Sequence, residues 1–142
     1  MTAALAKHWL EYGRLDLPLP ASGRTAERWR RLALLAEGNL VAARIAEAHV
    51  DAVAILDELG GKPPESGQLW GVWAAESRDT VLAATNLGGG AFALSGTKVW
   101  CSGAGFCTHA LVTARLDNDT DVEYLRHGGV LPMVLRELMA RA

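Results

Sequence analysis

The sequence predicts an α+β fold: a helical N-terminal bundle, a partial antiparallel β-barrel, and a C-terminal helix. Three observations predict it. Residues 1–61 are rich in the helix formers Ala, Leu, Glu and Arg. Between residues 68 and 114, short apolar runs alternate with Gly, Asn and Ser clusters, the pattern of short strands and turns. Beyond Asp117 the composition shifts again, and Gly128-Gly129 precedes a second run with helical spacing. The corresponding domains are 1–64 (helical), 65–116 (β) and 117–142 (helical tail).

In chain order, Thr2 to Tyr12 reads as a short helix stopped by Gly13. Leu15-Asp16-Leu17-Pro18-Leu19-Pro20 is extended, because each Pro drives its predecessor away from helical geometry. Ser22 or Thr25 is expected to cap a helix running to about Glu37, with Gly38-Asn39 as a stop and a new N-cap. From Leu40 to Leu59 the positions Val41, Ile45, Ala48, Ala52, Ile55 and Leu59 recur at helical spacing. Ala42, Ala46, Val50 and Val53 widen that apolar face, so this helix is expected to lie between two partners. Gly60-Gly61 and Pro63-Pro64 end it. Strands are expected at Leu69–Ala75, Val81–Thr85, Ala91–Ser95, Lys98–Cys101 and His109–Ala114, with Gly88-Gly89-Gly90 as a hairpin turn. In the tail, Val130 to Arg141 is expected to be helical, with Pro132 in its first turn.

Composition narrows the function classes. Half of the 142 residues are hydrophobic and about a fifth charged, as in ordinary globular proteins. A formal charge of −2 gives no electrostatic case for nucleic acid or an anionic membrane. The uncharged stretch Thr80–Thr97 is broken by Asn86 and three glycines, so it reads as strands and a loop rather than a membrane span. Two cysteines and no export signal make the cytoplasm the expected location.

The most informative stretch is Leu94 to Gly105. Trp100 and Ser102 stand two apart, so a strand would project both to one face. An indole face and a hydroxyl beside small residues can hold a flat ring with polar edges, such as a flavin. The same pair also suits a core Trp with a strand-end Ser. Ala74 and Ala75, ending an earlier strand, let a ligand approach the backbone; Glu76 and Asp79 read as surface carboxylates. Cys101, Cys107 and His109 match no usual zinc spacing and read as small buried side chains, and no metal site is expected. His8, His49 and His127 read as structural or exposed.

With both strands in view, residues 5–114 resemble the acyl-CoA dehydrogenase family. The runs that carry the likeness are Trp73-Ala74-Ala75-Glu76, then Gly90 through Ala104, then Ala110-Leu111-Val112-Thr113-Ala114. They look like the family's "T-E" strand and its "L-x-G-x-K-x-W-I-T-N-G" hairpin. The resemblance implies a helical domain, a middle β-barrel and FAD as cofactor. It also implies an acyl-CoA substrate dehydrogenated between its α and β carbons. By the same likeness Trp100 packs beside the isoalloxazine and Ser102 replaces a Thr that bonds near flavin N5. The Ala74-Ala75 backbone meets the ring's polar edge, and Cys101 completes the cofactor-binding set.

Two departures from the family pattern stand out. Ala75 replaces a Thr, and Ser77-Arg78-Asp79-Thr80 replaces a Gly-Ser-Asp element. The family's catalytic Glu belongs to a C-terminal four-helix bundle, for which residues 1–142 are not expected to supply a counterpart. The expectation is therefore a truncated member without a catalytic residue of its own, inactive alone. A homo-oligomer is compatible with the resemblance. Thr120 through Arg136 is separately similar to the aconitase C-terminus, without its cluster cysteines or catalytic residues. The alternative reading is a non-enzymatic interaction module or the remnant of a rearranged gene.

Overall fold

The computed structural model describes residues 2–116. The expected tail, 117–142, lies outside the described residues. The described residues divide into two compact units, one of residues 2–74 with Trp100–Val112, the other of Ala75–Val99 with residues 113–116.

The first unit contains α1 (Thr2–Glu11), α2 (Thr25–Gly38) and α3 (Leu40–Glu58), with strands β1 (Trp70–Trp73) and β4 (His109–Val112). As its wide apolar face predicts, α3 is central, packing against α1, α2 and β1. Its buried face is mostly alanine (Ala42, Ala43, Ala46, Ala48, Ala52) with Ile45, Val50 and His49. These short side chains let the neighbours approach closely. The core joins Ala42, Ala43, Ile45 and Ala46 to Ala6 and Trp9 of α1, Leu15, Leu35 of α2, and Leu69 before β1. Val41 and Leu59, expected on the apolar face, are exposed instead.

The extended Leu15–Pro20 segment buries Leu15, Leu17 and Pro18. It is tied down by Arg28, a buried cation with its donors engaged. Arg28 donates to the Pro18 carbonyl at 3.0 Å and pairs with Asp51 at 3.0 Å. Burial raises the Asp51 pKa, an effect that Arg28 partly opposes.

Helix starts follow two different devices. Asn39 caps α3 as expected, its side chain accepting from the Ala42 N–H at 2.9 Å. At α2, neither Ser22 nor Thr25 caps. The flanking residue is Arg24, with no side-chain cap; its guanidinium instead forks onto Glu27 at 2.9 and 2.8 Å. Thr25 is already the first helical residue, so its hydroxyl cannot take the capping place.

β1 and β4 pair in parallel, Trp70 opposite His109 and Trp73 opposite Val112. In the second unit, β2 (Leu82–Gly88) and β3 (Ala91–Gly96) form an antiparallel hairpin, from Leu82 opposite Gly96 to Gly88 opposite Ala91, with a bulge between Asn86 and Gly88. Gly88, Gly89 and Gly90 all have positive φ, which is why the turn requires glycine. The two-residue strand β5 (Arg115–Leu116) lies parallel to β2 on its other side, giving the order β3-β2-β5.

The architecture of the described residues is thus mixed α+β with two small sheets. Two findings depart from the expected antiparallel strand set. First, among the described residues only β2/β3 is antiparallel. The chain between β1 and β4 is long enough to serve as the crossover that a parallel pair needs. Second, Lys98–Cys101 is not a strand. Trp100 has φ +56°, left-handed backbone that does not belong in a strand. The turns after it are drawn to the helical core, where Phe106 and Cys107 pack.

Candidate functional site

The candidate loop begins at Trp100 and runs to Thr108, within the first unit. Two anchors hold its far end. Thr108 donates to the Leu69 carbonyl through both its N–H, at 2.8 Å, and its hydroxyl, at 3.1 Å. His109 stacks on Trp70 across the paired strands, centroids 4.9 Å apart and 15° from parallel. Inside the loop, Ala104 N–H donates to Cys101, and the Phe106 and Cys107 N–H groups both donate to Gly103. The Cys107 thiol is half-buried against the helices; burial raises its pKa, opposed by Lys7.

At the near end, Trp73 closes β1 and its indole N–H donates to the Ser102 carbonyl at 3.1 Å. Ser102 N–H in turn donates to the Trp100 carbonyl at 3.0 Å. Trp100 and Ser102 are therefore brought together by a tight turn and not, as a strand would have it, by alternation on one face. The Trp100 side chain is 70% exposed. Ser102 is exposed, and its hydroxyl has no hydrogen bond among the described residues. Cys101, between them, is half-buried. Ala74 is exposed just beyond β1.

Ala75 opens the second unit, where it lines a cavity of about 240 Å³ with Glu76, Arg78, Thr80, Lys98 and Arg115 among others. Glu76 and Asp79 are exposed, in line with the surface role expected of them. Lys98 is held by the Thr113 carbonyl at 2.9 Å and hydroxyl at 2.8 Å. The Thr80 hydroxyl is buried and finds no partner among the described residues. Such a group costs about 1–3 kcal/mol. A lone Thr between Asp79 and Val81 carries no sequence signal of this.

His49, expected to be structural or exposed, is a structural core residue. It is 4% exposed, and its Nδ1 accepts the Trp70 N–H at 3.2 Å, joining α3 to β1. An acceptor at Nδ1 places the proton of the neutral ring on Nε2. Burial lowers its pKa below the ordinary value, partly offset by Asp16. Only the fold reveals this role, since residues 49 and 70 are distant in the chain.

Among the described residues, no group of three or more His, Cys, Asp and Glu side chains is arranged to hold a metal ion. No helix among them is long and apolar enough to cross a membrane. The chain matches no family model, no curated protein and no solved structure.

Proposed function

We propose that this chain is an acyl-CoA dehydrogenase-like flavin-binding protein, with FAD as the cofactor and acyl-CoA as the class of substrate. One observation carries the reading: Trp100, in the run that resembles the family's hairpin, holds a bulky indole 70% exposed on left-handed backbone. Strained backbone of this kind clusters at ligand and active sites. The neighbouring Ser102 hydroxyl is unengaged among the described residues, which fits a polar atom at a ring edge. In this reading the indole supplies a stacking surface, Ser102 a hydrogen bond, Cys101 the link between them, and Ala74 a backbone partner within the same unit. The strands of the second unit are then part of the family's middle barrel, and Cys101 and Cys107, which are not joined in a disulfide, suit the reducing cytoplasm.

Bound flavin would supply a hydride acceptor. Dehydrogenation also needs a base for the α-proton. No residue of 1–142 is assigned that role, so residues 1–142 by themselves are expected to bind flavin without turnover. The test is a titration of the purified protein with FAD, followed by visible absorbance and by melting temperature. Binding to the native state raises the melting temperature by mass action. An unchanged flavin spectrum and an unchanged melting point at saturating FAD would reject the proposal.

A second reading, an interaction module, is favoured by β3. Among the described residues it is an edge strand, six residues without a charge, exposed along most of its length. Such an edge pairs readily with another chain. A protein that stays monomeric at high concentration, and captures no added strand peptide, would count against it.

A further inference from the structure

We infer that Trp73 is the positioning residue for the Trp100–Ser102 turn, an inference that rests on the flavin reading above. The connection is a relay of three groups. Gly71, buried in β1, leaves room for the Trp73 ring: a Cβ there would come within 2.7 Å of Nε1 and 3.1 Å of Cε2. The ring so placed donates its N–H to the Ser102 carbonyl at 3.1 Å. That peptide's own residue donates back to the Trp100 carbonyl at 3.0 Å, closing the turn that presents the indole. Trp100 gains little from burial to offset its left-handed backbone, so the turn depends on bonds such as this one. Neither Gly71 nor Trp73 need touch the flavin. They act through the loop.

The expected residue pattern is specific. Trp73→Phe keeps a ring and deletes the donor; Gly71→Ala keeps the donor and displaces the ring. Both should weaken FAD binding about fivefold, the equivalent of one hydrogen bond, and reduce the quenching of flavin fluorescence by Trp100. A second measurement needs no flavin: amide hydrogen exchange at Ser102, Ala104, Phe106 and Cys107. In Trp73→Phe it should accelerate there while α3 exchanges as in the wild type. Unchanged exchange in the turn, or acceleration spread through α3 as well, would overturn the assignment. Wild-type protein that binds no FAD would remove the flavin reading, while the exchange comparison would still decide the role of Trp73.

Discussion

Trp100 occupies backbone that costs a non-glycine residue about 1–2 kcal/mol, while most of its side chain remains in solvent. Replacing it with glycine should relieve that strain and sacrifice little packing. Trp100→Gly is therefore expected to melt about 3 °C higher than the wild type, and to bind FAD at least tenfold more weakly. Paired thermal melts and flavin titrations check both halves. A variant that melts lower would show that the indole packs for stability.

His49 makes stability depend on pH. Its folded pKa lies below the ordinary value of about 6.5, because burial disfavours the imidazolium and Nδ1 must stay an acceptor. As pH falls through that value, the unfolded chain takes up the proton and the folded chain resists it. Stability is thus constant above the unfolded pKa and declines below it, by up to about 1.4 kcal/mol per pH unit, until the folded group titrates. Denaturant midpoints from pH 8 to 5 should show the decline, and His49→Gln, which retains an acceptor, should flatten it. Trp100 and Ser102 were legible as a pair in the sequence because their chemistry is rare and local. The bond from Trp70 to His49 was not, since nothing local marks which backbone N–H a core histidine will meet.

At the scale of elements, the helices were legible because their signals lie within a few residues of the ends. Asn39 is such a signal. Asn39→Ala should cost about 1 kcal/mol, read as a lower denaturant midpoint at an unchanged slope, and Asn39→Asp should restore most of it. The failed cap at α2 has an equally local cause: Arg24 and Glu27 engage each other across the first turn. The segment Lys98–Cys101 shows the opposite case. Its residues favour a strand, but the burial of Phe106 and Cys107 against the helices decides its conformation. Propensity there loses to tertiary packing, which no window around Val99 displays.

For the whole molecule, strand pairing was the least legible level. β1 and β4 are adjacent only after the intervening hairpin has been routed elsewhere, so their parallel register depends on topology. The hairpin itself was readable from its glycines. Its outer strand bears on assembly: Leu94 is 55% exposed and β3 carries no charge to repel a neighbour. If β3 pairs between copies, sedimentation should show association that grows with concentration and disappears in Leu94→Lys. Equal behaviour of the two proteins would exclude that edge as the contact.

Phe106 and Cys107, which pack against the helices, come from the far side of the inserted hairpin. During synthesis all three helices emerge from the ribosome before these two residues do. At about 5–20 residues per second, the nascent bundle waits several seconds with one wall missing. A chaperone that shields apolar surface has its natural moment in that interval, before the last piece of the wall emerges.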